Sequence, residues 1–510
     1  DNIPGGRRIR DFFSSTSLHG FQYFSEPNRS WFERCYWLLA MAVVYICVII
    51  ALYHQTVLFF NAPAVMSVNS AATPIWDIPF PAVTICSPNQ VRPSDFDFSE
   101  YKNQKNLSSI DQDNLQYLMM ICKYSSSMKD AKVLSHAPDQ MFYEVFDSCV
   151  EMVNIEWMSE EIKDPCLSME RVFTPMGACF TFNGLPNKQL FGSISNHINY
   201  WVHELEYNIT KEAIWSPDRG YKNKSHIANK PWRTGGRSYH THDVSIQLYL
   251  NTDNFDDKCF PRNDGFWVTV HSPAELPTQW HPTMFLATDE MSEIKVVPKI
   301  KKASEELRNF DAKARGCYFE DERPLLFFNY YTENNCYLEC EANTSLSRCG
   351  CVSFYHPRYR EDPVCGPANV ECYMKVVDDI AKSVDPVTSK CNCLPSCFET
   401  EYKISRTKYP KEFTLGSVRG KIYRDYFRKG IPKDNFAAFT IKLETQRVTT
   451  FTRVATFRFT DFLANIGGLL AVFLGFSFIS LFEIVYFFII RAYNKRTSRG
   501  DGQYELAAPQ

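Results

Sequence analysis

The chain has 510 residues, with 55 Lys or Arg against 58 Asp or Glu and a formal net charge of −3. This length exceeds that of an ordinary single domain. The near balance of charge gives no positive field of the kind that attracts nucleic acid, so nucleic acid is not an expected partner. Two strongly apolar segments flank a long polar middle region.

The first apolar segment, Trp37–Tyr53, contains no charged residue, and apolar residues continue at Val57–Phe60. Because a helix rises about 1.5 Å per residue, about 20 residues cross the hydrocarbon layer of a membrane. We therefore predict a transmembrane helix within residues 35–60, preceded by a cytoplasmic segment, residues 1–34. A buried core helix or a signal peptide fits less well, because the run is long and a polar segment precedes it.

The middle region, residues 61–452, shows short patterns of both secondary-structure types. Alternation of apolar and polar residues predicts strands at Ala82–Ile85, Val244–Leu250, Phe266–His271 and Phe436–Thr450. Polar stretches compatible with helices lie at Ser109–Lys123 and Pro138–Met158. The region is therefore expected to mix α and β structure.

The cysteines are concentrated in this middle region. Of 18 cysteines, 16 lie between Cys86 and Cys397, and ten of these follow one another from Cys317 onward. An even number confined to one region indicates disulfides in an oxidising compartment. Zinc binding through the C-x-C pairs Cys349/Cys351 and Cys391/Cys393 is the alternative, although no histidines are interleaved with them.

The second apolar segment, Ile466–Ile490, predicts a second transmembrane helix within residues 453–490, followed by a cytoplasmic tail, residues 491–510. Gly467, Gly468 and Gly475 each weaken a helix by about 1 kcal/mol relative to alanine, a cost without purpose in a plain membrane anchor. Gly467 and Gly468 would permit close helix packing or a break in the helix. The glycines therefore favour a helix that lines a pore. Packing of small residues in an ordinary helix bundle is the alternative interpretation.

Glu483 is the one charged residue of this second segment. A lone carboxylate at membrane depth costs about 2.5–3.5 kcal/mol on insertion scales, so its side chain should face water or a partner. In an oligomer it would form a ring of acids that concentrates cations near the inner mouth. The alternative is an acid that reaches the inner membrane interface.

The flanking charges give the orientation. Basic residues precede the first segment and follow the second, at Arg7, Arg8, Arg10, Arg29, Arg34, Arg491, Lys495, Arg496 and Arg499. The positive-inside rule then places both termini in the cytoplasm and the middle region outside. Four N-glycosylation motifs lie in the middle region, at Asn106, Asn208, Asn223 and Asn343, in agreement with this orientation, and a fifth, at Asn28, would lie inside and stay unmodified.

Several motifs resemble one family when they are taken together and in order. They are FPAVTIC at Phe80–Cys86, GACFTFN at Gly177–Asn183, GFWVTVHSPAELP at Gly265–Pro277, the cysteine-rich block between Tyr331 and Cys397, and FTDFLANIGGLLAVFLGFSFISLFEIVYF at Phe459–Phe487. The set resembles the degenerin/epithelial sodium channel family, most closely its insect pickpocket branch. This resemblance implies an α+β membrane protein with two transmembrane helices and a large disulfide-rich extracellular domain of palm, β-ball, knuckle, finger and thumb.

The resemblance also implies an activity and an assembly. The expected protein is a trimeric channel of the plasma membrane, homomeric or heteromeric, that passes sodium down its gradient. It would be blocked by amiloride-type compounds, gated through its outer domain by a stimulus that the sequence leaves open, and free of cofactors apart from permeating Na⁺. A non-conducting accessory subunit and an ATP-gated cation receptor are alternatives. A membrane-anchored ectoenzyme is another, although the outer histidines are scattered.

Disulfide pairing is implied by the resemblance rather than by spacing. The family's pattern would join Cys86–Cys179, Cys149–Cys166, Cys317–Cys397, Cys336–Cys393, Cys340–Cys391, Cys349–Cys372 and Cys351–Cys365. Cys122 and Cys259 are left over, and we expect them to pair with each other.

Roles for pore residues follow from the same resemblance. Gly475, Phe476 and Ser477 match the family's G-x-S selectivity filter, and His19-Gly20 matches a pair that supports the lower pore from inside. Asp461 aligns with the degenerin position at the outer pore, although an acid at a helix N-terminus is an equal alternative. Gly467, Gly468 and Glu483 complete the predicted pore and gate. The chain departs from the family at Ala471, where a glycine is usual.

Overall fold

The computed structural model describes residues 12–26, 29–61, 64–69, 71–94, 97–103, 108–122, 152–195, 215–222, 230–234, 242–255, 264–288, 290–382, 390–410 and 435–490. The chain divides into two compact units. We call Asp1–Val65 with Val454–Gln510 the helical unit, and Met66–Arg453 the sheet unit.

The α-helices are α1 (Gln22–Ser25), α2 (Trp31–Asn61), α3 (Phe98–Asn103), α4 (Ser109–Ile121), α5 (Asn187–Leu190), α6 (Ala312–Arg315), α7 (Glu333–Cys349), α8 (Val370–Ala381), α9 (Phe459–Leu474) and α10 (Phe478–Val485). A π-helical turn, Tyr486–Ile490, continues α10. Short 3₁₀ turns lie at Ile75–Asp77, Thr252–Asn254, Glu305–Asn309 and Pro367–Asn369.

The helical unit contains one long apolar helix and one bent pair of helices. Within the described residues, α2 is the one helix long and apolar enough by itself to cross a membrane. Helix α9 and the segment Phe478–Ile490 meet the same criterion as a pair, with a bend of 69° between them. Of the two roles expected for Gly467 and Gly468, close packing remains and a helix break does not, because α9 continues through both and ends at Leu474.

The strands are β1 (Ala64–Val68), β2 (Thr73–Pro74), β3 (Ala82–Cys86), β4 (Met152–Trp157), β5 (Glu160–Glu161), β6 (Met169–Thr174), β7 (Gly177–Phe182), β8 (Trp215–Ser216), β9 (Gly220–Tyr221), β10 (Val244–Tyr249), β11 (Gly265–His271), β12 (Thr283–Ala287), β13 (Glu290–Ala303), β14 (Phe398–Pro410), β15 (Phe436–Leu443), β16 (Arg447–Val448) and β17 (Thr450–Ala455). One sheet has the order β1-β17-β13-β15-β10-β4-β5, with β14 paired to β13, and a second has the order β12-β11-β3-β7-β6.

The core of the sheet unit is shared by both sheets. Ile85 of β3 pairs with Val268 of β11 in the smaller sheet, and Ile246 of β10 pairs with Phe439 of β15 in the larger one. All four side chains are buried in one hydrophobic cluster. Burying this apolar surface supplies the main stabilisation of the unit.

The predicted strands of the middle region are confirmed with one correction, and one predicted helix is wrong in part. The run Phe436–Thr450 forms two main strands rather than one, since β15 ends at Leu443. Met152–Trp157, which lies within the predicted helix Pro138–Met158, is β4 instead. Its pairing with β10 buries Asn154 and Ile155, so cross-strand contacts override a helix-compatible composition.

Six of the disulfides that the resemblance implies are present in the structure. They are Cys86–Cys179, Cys317–Cys397, Cys336–Cys393, Cys340–Cys391, Cys349–Cys372 and Cys351–Cys365. The expected partners of Cys166 and Cys122, which are Cys149 and Cys259, lie outside the described residues. Because the C-x-C cysteines all form disulfides, the zinc alternative is wrong for them.

Candidate functional site

The break between α9 and α10 is formed by the predicted filter tripeptide. Gly475 adopts a left-handed conformation, with φ of 65°, and its N–H donates to the carbonyl of Ala471, which ends α9. Ser477 is the N-cap of α10. Its Oγ accepts from the N–H of Ser480 at 3.4 Å, while its own N–H donates to Oγ of Ser480 at 3.1 Å. Phe476 lies between the two caps.

The His19-Gly20 pair lies directly against this break. The N–H of His19 donates to the carbonyl of Leu474 at 2.9 Å. A Cβ on Gly475 would lie only 2.7 Å from Cδ2 of the His19 ring, so a larger residue cannot be accommodated without movement. Gly20 also has a positive φ, 87°, and a Cβ there would overlap Sδ of Met41 in α2. Both glycines are therefore fixed by close approach as well as by backbone conformation.

Glu483 has partners from the amino-terminal segment of the same chain. Its Oε2 accepts from the N–H of Ser17 at 3.0 Å, from Oγ of Ser17 at 3.1 Å and from Oγ1 of Thr16 at 3.3 Å. The carboxylate was expected to face water or a partner, and within one chain it has partners, which are Ser17 and Thr16. Sequence reasoning missed Thr16 and Ser17, although the run Ser14–Ser17 just before His19 is a signal for hydroxyl donors.

Aromatic contacts join the remaining parts of the helical unit. The rings of Phe59 in α2 and Phe462 in α9 stack with centroids 4.4 Å apart. Phe12 meets the rings of Phe487 and Phe488 at 5.6 and 5.3 Å. The amino-terminal segment therefore contacts the bent pair at both the break and its far end.

The other predicted pore residues lie along α9. The carboxylate of Asp461 accepts from the N–H of Arg458 at 3.2 Å in the first turn of α9, which is the helix N-terminal role that we set beside the outer-pore role. Gly467 and Gly468 lie inside the helix, where a Cβ would meet no described atom within 4 Å. Their surface is therefore free for contact with another helix.

A second candidate site is a cavity of about 840 Å³ in the sheet unit. Five glutamates line it, together with Trp280, Tyr337 and other side chains; they are Glu275, Glu333, Glu341, Glu399 and Glu401. Glu275 Oε2 lies 3.1 Å from Nε2 of His281, and Glu399 accepts from Nζ of Lys301 at 3.1 Å. Lys301 also contacts Glu401.

Glu333 is the most perturbed carboxyl group of this cavity. Burial, followed by the negative charges of Glu399 and Glu275, raises the pKa of Glu333 to about 7. Burial also raises the pKa of Glu399. The cavity therefore contains one carboxyl group, that of Glu333, whose charge changes near neutral pH, a feature that the sequence pattern did not reveal.

One of the four predicted glycosylation sites lies within the described residues. Asn343 is exposed on α7, whereas Asn106, Asn208 and Asn223 lie outside the described residues.

A chain with a bent apolar helix pair, an amino-terminal segment bound at its break and a disulfide-rich sheet unit has the features expected of a channel subunit. A sequence profile of the amiloride-sensitive sodium channel family matches residues 12–487. The chain belongs to this family, which confirms the resemblance. Its members are ion channels rather than enzymes, so the ectoenzyme alternative is wrong.

Similar proteins include insect channels, and a human relative covers nearly as much of the chain. Pickpocket protein 28 of Drosophila melanogaster is 28% identical over 96% of this chain and 79% of its own length. Sodium channel protein Nach of the same fly is 22% identical over 95% of this chain and 87% of its own. The human bile acid-sensitive ion channel is 23% identical over 95% of this chain and 86% of its own length.

Proposed function

We propose that this chain is a subunit of a trimeric, sodium-selective channel of the plasma membrane, with its filter at Gly475, Phe476 and Ser477. The observation that carries the proposal is the break between α9 and α10, where the tripeptide leaves helical geometry and the His19-Gly20 pair lies against it. A break of this kind frees backbone and hydroxyl oxygens at membrane depth. Such irregular backbone is tolerated where it lines a water-filled path.

Sodium selectivity requires close oxygen ligands. Sodium is a small, hard cation, and carbonyl or hydroxyl oxygens can replace part of its water shell. Three copies of the tripeptide around one axis would supply such oxygens, and the glycine would let the backbones approach closely. Glu483, bound by Ser17 and Thr16, would contribute negative potential on the cytoplasmic side of the filter.

The two-span topology is part of the same proposal. Helix α2 exposes many large apolar side chains, among them Leu38, Leu39, Ile49 and Ile50, each more than half exposed. Such a surface is compatible with lipid and costly in water. With both termini cytoplasmic, the sheet unit would be extracellular, in agreement with its disulfides. Amiloride-type blockers and gating through the sheet unit complete the proposal.

Expression of the full chain in oocytes tests this function. We expect a sodium current that amiloride blocks and that reverses near the sodium equilibrium potential. Ser477→Val should move the reversal potential toward that of a non-selective cation channel, because it removes an oxygen ligand. An unchanged reversal potential in this variant would contradict the filter assignment.

Co-expression separates the homomeric from the accessory alternative. A chain that is silent alone but alters the selectivity or block of a sister subunit's current would be a heteromer subunit. A chain that reaches the surface and leaves every sister current unchanged would contradict the channel proposal. Surface labelling of an epitope inserted in the sheet unit, compared with one at the carboxyl terminus, tests the orientation.

A further inference from the structure

Ser480 is a buried hydroxyl in a helix whose other side chains are largely exposed. In the described part of the helical unit, the buried residues are Phe12, Val48 and Ser480, and Ser480 has no exposed surface. Serine contributes little apolar area, so burial by itself does not explain its presence in α10. A buried hydroxyl must instead be hydrogen-bonded to avoid a desolvation penalty.

The hydroxyl of Ser480 contacts three polar groups. Its Oγ accepts from the N–H of Ser477 at 3.1 Å, and it lies 3.2 Å from Oγ of Ser477 and 2.9 Å from Oγ of Ser17. A hydroxyl has one hydrogen to donate and two lone pairs that accept. Three partners therefore satisfy it completely.

The direction of these hydrogen bonds follows from the carboxylate at one end. An ionised carboxylate can only accept, so Ser17 donates its single hydroxyl hydrogen to Glu483. Ser17 must then accept from Ser480 in their shared hydrogen bond. Because the hydrogen of Ser480 is used there, Ser477 must donate in the last one. The chain of donation runs from Ser477 to Ser480, then to Ser17 and to Glu483.

This direction determines what Ser477 offers on its exposed side. Its hydrogen points inward to Ser480, and one lone pair accepts from the N–H of Ser480 at 3.4 Å. One lone pair remains, and Ser477 itself is exposed in the chain. An oxygen lone pair is what a cation binds, whereas a hydroxyl hydrogen would repel it.

We propose that Ser480 is a positioning residue for the filter. Together with Ser17 and Glu483, it fixes the direction of the Ser477 hydroxyl so that the oxygen faces the permeating sodium ion. This inference rests on the proposed function, because it needs Ser477 to line the pore. It adds that the amino-terminal segment sets selectivity through this hydroxyl chain, in addition to supporting the pore structurally.

The test compares sodium and potassium permeability under bi-ionic conditions in the full channel. Ser480→Ala breaks the chain of donation, and we expect its sodium-to-potassium permeability ratio to fall about fivefold, the ratio that one hydrogen bond of typical strength provides. Ser480→Thr keeps the hydroxyl and should keep the ratio. The matched control is Thr56→Ala, which removes a hydroxyl that donates only within α2, to the carbonyl of Leu52 at 2.8 Å.

Ser480→Ala alters a buried residue and could impair folding. Ser17→Ala is a second test of the same hydroxyl chain at an exposed residue. It should lower the ratio in the same direction. If both residues act through one chain, the double variant should be no less selective than Ser480→Ala alone, since coupled residues are non-additive. Additive losses, or an equal loss in Thr56→Ala, would overturn the proposal.

The two proposals fail in different ways. A wild-type channel without sodium selectivity would refute the proposed function. A selective wild type whose ratio is unchanged in both Ser480→Ala and Ser17→Ala would refute the hydroxyl chain alone.

Discussion

The two units of this chain differ in how far they bury their own side chains. The sheet unit buries a core shared by two sheets and adds six described disulfides. The helical unit buries three of its described residues and exposes most of its apolar surface. The sheet unit is therefore folded against itself, in the manner of a secreted domain. The helical unit depends on surroundings that the single chain does not provide, either lipid or neighbouring copies.

Polar contacts follow the same division. In the sheet unit they are spread over strands, helix caps and ion pairs, so that the loss of one leaves the rest in place. In the helical unit they converge near the break after α9, where His19 donates to Leu474 and Ser17 contacts both Ser480 and Glu483. The comparison predicts that small substitutions at the break affect function strongly, whereas similar substitutions elsewhere do not.

The largest expected effect comes from Gly475→Ala. The added Cβ would need a left-handed backbone, which costs an L-residue about 1–2 kcal/mol, and would also displace the His19 ring. We expect at least a tenfold loss of current at equal surface expression in the oocyte. The matched control is Gly350→Ala, because Gly350 ends α7 with φ of 70° and a Cβ there meets no described atom within 4 Å. Equal losses in both variants would show that backbone strain alone, and not the His19 contact, is responsible.

The second effect concerns stability of the sheet unit. Replacing Cys317 and Cys397 together by serine opens a link between residues 80 positions apart, and both cysteines are buried. In the chain-entropy account, such a link contributes about 4 kcal/mol. We expect a clear drop in the melting temperature of the purified protein in detergent. Cys47→Ser, which removes a free and exposed thiol of α2, is the control and should leave the melting temperature unchanged.

A smaller effect depends on pH. The folded pKa of Glu333 is raised to about 7 from an ordinary 4.5, so the folded state holds this proton more tightly than the unfolded state. The favourable contribution is fully present below pH 4.5 and is lost as the pH rises through 7. Glu333→Gln should therefore melt a few degrees higher than the wild type at pH 8 and close to it at pH 4.5.

The control for this pH effect is Glu371→Gln, an exposed glutamate in the first turn of α8. It should shift the melting temperature equally little at both pH values. A difference between wild type and Glu333→Gln that does not change with pH would contradict the assignment of the pKa to this group.

The smallest effect is expected on an exposed ion pair of the sheet unit. Arg348 Nη1 lies 2.8 Å from Oδ2 of Asp379, and both side chains are more than two-fifths exposed. Such pairs contribute about 0–1 kcal/mol because water and salt screen them. Arg348→Ala should therefore leave both the melting temperature and the current unchanged. A marked loss would mean that this pair couples α7 and α8 functionally.

The sequence was informative where a pattern is local. Strands β3, β10 and β11 were predicted from alternation, because one buried face imposes a period of two on the residues. Strand β13 has the same alternation of apolar residues, at Ile294, Val296 and Ile300. It was not predicted, because lysines and Pro298 interrupt the apolar pattern. Strand β4 could not be predicted, since Asn154 and Ile155 become buried only when β10 lies beside them.

At the candidate pore, the sequence by itself determined which residues are unusual: glycines and one carboxylate in an apolar segment, and a His-Gly pair ahead of the first helix. Only the tertiary structure decided that the helix breaks at Gly475 rather than at Gly467, and that Thr16 and Ser17 bind Glu483. The reason is that a glycine permits a break without requiring one. The contact with His19, more than 450 residues away along the chain, selects the place.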